Sequence, residues 1–224
     1  MSLARLFPES EIVAVDLESP LLEVARMRAR HYALDRLTFV HSTVPNRLAE
    51  GLGTFDAVTL NAVYEHLLPA ERRSLLPQLW ASLRPGGVLF VDLTPHRYYP
   101  LEYHTTGLPL LNYLSDRLAL TAARRFSPRV ERGASWETLL RRGVRGATTG
   151  EIVSILEGGA TTPPIVLRPS RLGAKDTVDI WYSASTTRRP HPAKAVMRLA
   201  FKAISRLTRT EFSPEVSLAV QKSL

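Results

Sequence analysis

The sequence predicts an α/β fold built on a mostly parallel sheet. Three observations carry this. Short apolar, β-branched runs alternate with amphipathic stretches at βαβ spacing. Hydrophobic residues make up 45% of the 224, a globular composition with enough apolar material for a core. Beyond residue 94 the alternation loosens, and a last apolar run closes the chain.

Residues 2–6 (SLARL) read as the end of a helix, stopped before Pro8. Residues 11–16 (EIVAVD) read as a buried parallel strand ending in an acid. A helix follows over 19–33, with Ser19 as N-cap and Pro20 at the first helical position. Strands are expected at 37–41 (LTFVH), 55–60 (FDAVTL) and 88–93 (VLFVDL). An amphipathic helix covers 69–83, and residues 84–87 (RPGG) form a turn in which glycine relieves the backbone. Residues 95–106 read as a loop rich in Pro, His and Tyr. Helices are expected over 108–126, over 136–142 ending at Gly143, and over 149–157 with Thr149 as cap and Gly158-Gly159 as stop. Residues 178–182 (VDIWY) read as a strand, 185–192 as an exposed connection, 192–207 as a basic helix and 216–221 (VSLAVQ) as the final strand.

Composition excludes several classes. Without cysteine there is no disulfide scaffold, thiolate metal site or cysteine nucleophile. No run of about 18 apolar residues suggests a membrane span, and the N-terminus does not read as a signal peptide. A cytoplasmic location is expected. The net charge of +8 is concentrated after residue 117, mostly as Arg, while the first half is close to balanced. That excess reads as a solvated surface, and no nucleic-acid reader motif accompanies it.

Two segments carry candidate chemistry. Asp16 closes a strand, where a carboxylate can accept hydrogen bonds from both hydroxyls of a ribose. Alone the signal is weak, since dehydrogenases share it and many strands end in Asp for turn reasons. The second segment is Asn61-Ala62-Val63-Tyr64-Glu65-His66-Leu67, directly after FDAVTL and followed by a helix and LRPGG.

Four pieces in order, IVAVDLES, FDAVTLNAVYEHL, LRPGGVLFVD and FSPEVSLAVQK, resemble the class I S-adenosylmethionine-dependent methyltransferases. Within that class they are similar to the type 11 family of ubiquinone and menaquinone biosynthesis. The resemblance spans residues 1 to about 106 plus the last strand. It implies a Rossmann-like methyltransferase sheet, mostly parallel with an antiparallel C-terminal strand, and S-adenosyl-L-methionine as cofactor. By the same resemblance Asp16 binds the ribose and Leu17 lies against the adenine or ribose. Ser42 and Thr43 stand where many members place an adenine-binding Asp. Asn61, Ala62 and Val63 line the methionine part. Asp56, at the opposite end of its strand, is assigned a structural role.

His66 is a candidate general base, with helix packing as its alternative. His104 and Tyr103 are the further acceptor-side candidates, from a loop that also holds His96, Tyr98 and Tyr99. That loop reads as a lid over the acceptor, or as ordinary packing of rings against the sheet end. The related quinone O-methyltransferases carry a further Glu where Ala62 stands. One carboxylate and one imidazole suit Mg²⁺ poorly, so no metal is expected.

The family's glycine-rich cofactor loop has no counterpart: Gly51, Gly53, Gly86, Gly87, Gly158 and Gly159 follow no first strand. The sequence therefore reads as N-terminally truncated, lacking the first, central strand, with a gap of about 9–10 Å expected in the sheet. Weak or absent cofactor binding is expected. The reading is one methyltransferase domain, with 1–94 as cofactor-binding half, 95–177 as acceptor-side lid and helices, and 178–224 as C-terminal strands around the basic helix. The acceptor class is a small molecule, glycan or lipid-linked compound. The alternative is an inactive domain kept for binding.

In 192–207, Lys194, Arg198, Lys202 and Arg206 recur every four residues, with Val196, Leu199, Ala203 and Leu207 between. This pattern suits an anionic membrane surface on the inner face, or a packed helix with a solvated basic edge.

Overall fold

The computed structural model of the chain describes residues 1–159, 163–168, 175–183, 192–208 and 212–224. The chain divides into two compact units, residues 1–54 and residues 55–224.

The first unit runs α1 (Ser2–Leu6), β1 (Ile12–Asp16), α2 (Ser19–His31) and β2 (Leu37–His41). The two strands pair in parallel, with Ile12 opposite Leu37 and Asp16 opposite His41. Parallel neighbours need a crossover, which α2 supplies. The cap of α2 is Glu18, not Ser19, and Ser19 and Pro20 are already helical. Pro20 gives up no bond there, since first-turn N–H groups have no partner within the helix. The helix also stops short of residue 33. Ala33 turns left-handed (φ +49°) and the Leu34 N–H reaches the Ala29 carbonyl, a Schellman-type stop. The run 11–16 is half-buried rather than buried, with Val15 exposed.

In the second unit, β3 (Phe55–Asn61), α3 (Pro69–Ala81) and β4 (Leu83–Pro95) form a βαβ crossover. β3 and β4 run parallel from Ala57 opposite Val88 to Asn61 opposite Asp92. Phe55 is opposite Leu83, so residues 84–87 loop out as a turn within β4. Gly86 has φ +77°, and a Cβ on Gly87 would lie 2.9 Å from the Arg84 carbonyl oxygen and 3.1 Å from that of Asp56. Arg84 Nη1 lies 2.9 Å from each oxygen of Asp56, in line with the structural role expected for that acid.

The chain continues through a two-strand ribbon, β5 (Leu101–Glu102) with β6 (Leu108–Pro109), then α4 (Asp116–Phe126), α5 (Trp136–Arg141) and α6 (Thr149–Gly159). It closes with β7 (Ile165–Val166), α7 (Thr177–Ser183), α8 (Pro192–Thr208) and β8 (Glu215–Gln221). β8 pairs antiparallel to β4, and β7 antiparallel to β8, giving the order β3-β4-β8-β7. Leu89 and Val91 of β4 and Val216, Leu218 and Val220 of β8 alternate into the core. Leu111, Ala119, Ala123, Leu139 and Val144 form a second apolar cluster beneath α4 and α5.

Two element expectations are corrected. Residues 108–126 are not one helix: Pro109 disfavours helix at Leu108, Leu110 is left-handed (φ +57°), and α4 begins only after Ser115. Residues 178–182 are not a strand but lie within α7. Asp176 Oδ1 accepts the Asp179 N–H at 2.9 Å, an N-terminal cap that outweighs the β-branched Val178 and Ile180. The connection expected at 185–192 lies outside the described residues, apart from Pro192. Among the described residues no helix is long and apolar enough to cross a membrane.

Candidate functional site

In open α/β sheets, ligands bind beyond the carboxyl ends of the parallel strands. At that end of β1, Asp16 Oδ1 accepts the Glu18 N–H at 2.9 Å, and Leu17 is exposed beside it. At that end of β2, Ser42 is buried and its hydroxyl donates to the Val44 carbonyl at 3.0 Å, whereas Thr43 is exposed.

At the carboxyl end of β3, Asn61, Ala62 and Val63 are all exposed. Ala62 is left-handed (φ +52°), and so is Leu93 near the same end of β4 (φ +57°). A non-glycine residue pays about 1–2 kcal/mol for this conformation, and such strain gathers where backbone is held for function. The Ala62 N–H bonds the Asp92 carbonyl at 3.0 Å, fixing one turn on the neighbouring strand.

A 3₁₀ turn over Tyr64–His66 follows immediately. Arg72 of α3 locks it from below. Its guanidinium stacks 4.6 Å from the Tyr64 ring centre, and it donates to the carbonyls of Leu67 (2.9 Å) and Gly146 (2.8 Å) and to Glu151 (2.9 Å). Tyr64 also donates to Glu151 at 3.0 Å. The turn therefore presents Glu65 and His66 from a rigid base.

Glu65 is fully buried. Thr94 Oγ1 donates to its Oε2 at 3.1 Å, and its Oε1 lies 3.6 Å from His66 Nε2. His66 Nδ1 lies 2.7 Å from the Arg141 carbonyl oxygen. Arg141 is itself held by a bidentate pair with Glu71, at 2.5 and 2.6 Å. Hydrogen bonds from this guanidinium and from the Leu68 N–H hold the Glu71 carboxyl below its ordinary range, although burial opposes this.

His104 arrives from the loop between β5 and β6. Buried Glu102 shapes that loop, accepting the N–H groups of Thr105 (2.9 Å) and Thr106 (2.6 Å) and the Thr106 hydroxyl (2.6 Å). The Thr105 hydroxyl ties the loop to the Arg142 carbonyl at 2.6 Å. The His104 ring stands 5.7 Å from the His66 ring, and Glu65, His66 and His104 each offer a donor atom within 4.8 Å of the others. Gly143 makes room for this. It ends α5 in the left-handed region (φ +87°), and a Cβ there would lie 2.8 Å from His104 Cδ2 and 3.0 Å from Glu65 Cγ.

Of the acceptor-side candidates, His66 and His104 are brought together and Tyr103 is directed elsewhere. The Tyr103 hydroxyl donates to Glu215 of β8 at 3.1 Å, and burial, with Glu215 beside it, pushes the phenol well up. Tyr99 packs edge-on against Tyr103 and Phe201, and His96 is buried beside Phe212. Those rings are packing; Tyr98 is exposed. Sequence reasoning did not single out Glu102, Thr94 or Gly143 for the site. The glycine after a helix was visible, but not what its missing Cβ would have displaced.

Three residues of the basic stripe of α8 turn inward, while Arg206 is exposed. Lys194 donates to the Trp181 carbonyl at 3.0 Å, and Arg198 and Lys202 both pair with buried Asp179 at 2.8 and 2.7 Å. Val196, Leu199 and Leu207 face outward instead.

Residues 1–89 match the family model described as a methyltransferase domain. Over 95 residues the chain is 31% identical to carboxy-S-adenosyl-L-methionine synthase of Desulfotalea psychrophila, covering 41% of this chain and 38% of that protein. Over 79 residues it is 33% identical to the ubiquinone biosynthesis O-methyltransferase of Vibrio parahaemolyticus, covering 35% of this chain and 32% of that protein. Both matches thus span well under half of the relative's length. The structure of PKMT2 from Rickettsia typhi aligns with a TM-score of 0.54 over 98% of this chain and 46% of that one, at 13% identity, which shows the fold alone. The family match is confined to residues 1–89, the stretch that holds IVAVDLES and FDAVTLNAVYEHL.

Proposed function

We propose that the chain serves S-adenosylmethionine-dependent methyl transfer to a small-molecule, glycan or lipid-linked acceptor. One observation carries this: the exposed, left-handed turn at Asn61–Val63 runs directly into the rigid turn bearing Glu65 and His66. Cofactor-side and acceptor-side residues are thereby joined on one short segment.

The bound sulfonium supplies an already activated methyl group, so the protein's task is alignment and proton removal. Asp16 is the proposed ribose acceptor, with Leu17 against the adenosine. Ser42 and Thr43 are the proposed adenine-side residues; Thr43 is the better exposed, and the Ser42 hydroxyl is already donated within its own turn. Asn61, Ala62 and Val63 are proposed to line the methionine portion. On the acceptor side, His66 and His104 take the nucleophile's proton as its lone pair attacks the methyl carbon. A bound sulfonium would release the methyl group and keep the carbon–sulfur electron pair on sulfur. No glycine-rich loop follows β1 or β3, so weak cofactor binding is proposed. A domain kept for binding is the competing reading.

Photolabelling with tritiated S-adenosylmethionine, followed by peptide mapping, tests the proposal. Label in the peptides that hold Asp16 and Asn61–Val63 supports it. Label scattered over the chain, or none, refutes it.

Peripheral membrane contact through 192–207 is proposed on the outward Val196, Leu199 and Leu207, not on charge, because Asp179 engages Arg198 and Lys202. Binding to neutral and anionic vesicles alike is the expected result, and binding to neither removes the idea.

A further inference from the structure

Glu65 Oε1 is buried and has no hydrogen-bond partner among the described residues. A carboxylate oxygen out of water is costly unless something positive or donating meets it. What faces it is His66 Nε2, at 3.6 Å. The Arg141 carbonyl, 2.7 Å from Nδ1, can only accept, so the ring hydrogen sits on Nδ1. In the neutral ring Nε2 then carries a lone pair. Two acceptors face each other, and a proton, a metal ion or a doubly donating water would satisfy both.

His104 adds the third donor. A tetrahedral ion with bonds of about 2.0–2.2 Å has ligand–ligand edges of about 3.3–3.6 Å. The Glu65–His66 edge already has that length. His104 is exposed, and its ligand atom lies within 4.8 Å of the other two. The surroundings follow the pattern of metal-ligating groups: a backbone carbonyl fixes the tautomer of one imidazole, and a threonine hydroxyl orients the carboxylate.

We infer that Glu65, His66 and His104 bind one divalent transition-metal ion of the zinc type, leaving a coordination position for water or an acceptor oxygen. Two imidazole nitrogens and one carboxylate oxygen suit Zn²⁺ or Co²⁺ and suit Mg²⁺ poorly. The expectation of no metal weighed one imidazole against one carboxylate; the fold brings a second imidazole from a distant loop. The inference bears on the proposed reaction, since His66 and His104 are also its proposed bases, but its test reads metal binding alone. With an ion bound, the imidazoles act as ligands, and the ion rather than a free ring acidifies a bound hydroxyl.

The test uses untagged protein stripped with chelator and titrated with Co²⁺ as a visible-absorbing probe, then with Zn²⁺ in competition. One equivalent should bind, with a d–d band that Zn²⁺ removes. Loss of an outer-shell partner alone costs about 10–100-fold in metal affinity, so E65Q and H104A should each cost at least about tenfold. H31A, at an exposed histidine of the other unit, should change nothing. His104 is exposed, so H104A keeps the test valid if E65Q fails to fold. No binding by the wild-type chain, or unchanged binding in H104A, overturns the inference.

Discussion

Gly143→Ala is the sharpest single perturbation of the site. At φ +87° an alanine is strained by about 1–2 kcal/mol. Its Cβ would sit 2.8 Å from His104 Cδ2 and 3.0 Å from Glu65 Cγ, and overpacking of this kind costs about 1–3 kcal/mol. The stiffer unfolded chain returns less than about 1 kcal/mol. The net loss is about 1–5 kcal/mol, which for a domain of this size lowers Tm by about 2–20 °C. Glu65 is buried and cannot give way, so His104 is the group displaced. Thermal melts read the stability, and Co²⁺ titration below the lowered Tm reads the site. Gly133→Ala is the control, since nothing lies within 4 Å of its added Cβ. A G143A protein that melts within a degree of wild type, with unchanged Co²⁺ affinity, would refute the packing described.

Other perturbations separate the parts of the account. Burial alone would raise the Asp179 carboxyl, but hydrogen bonds from Lys202, the Lys175 N–H and Arg198 hold it at about 2. Relative to an ordinary 3.8, that contributes about 2 kcal/mol above pH 4, lost as pH falls toward 2. Asp179→Asn should therefore be less stable than wild type near neutrality, and urea melts should show the gap closing toward pH 2–3. Glu102→Ala strands three donors in the His104 loop. It should cost about 3 kcal/mol and weaken Co²⁺ binding together with stability, both read by calorimetry. Ala62→Gly relieves left-handed strain and should raise stability by about 0.5–1 kcal/mol, as a small rise in Tm.

Periodicity and punctuation explain what the sequence revealed. FDAVTL and VLFVDL carry the apolar density of sheet strands, Pro20 and Pro69 mark helix starts, and VSLAVQ alternates as β8 does. Residues 178–182 misled because Val and Ile favour strands, while the Asp176 cap starts a helix that Asp179 ties to Arg198 and Lys202 of a later one. The break at Leu110 needed the left-handed backbone, which leucine does not advertise. At the site, Glu65-His66 was visible as a motif and His104 as a loop residue. Their meeting depends on Glu102, Thr105 and Gly143 acting together, and no local pattern encodes that. The basic stripe of α8 was legible as charge, but its direction was set by Asp179.

The central proposal is that Asp16, Leu17 and Asn61–Val63 are S-adenosyl-binding residues. Amide chemical-shift mapping of the 224-residue chain during titration with S-adenosylhomocysteine tests it most directly, because the method detects weak binding. The account predicts that the shifts concentrate at Asp16, Leu17 and Asn61–Val63. Saturating ligand that leaves these amides unmoved, or shifts centred on α8, would contradict it.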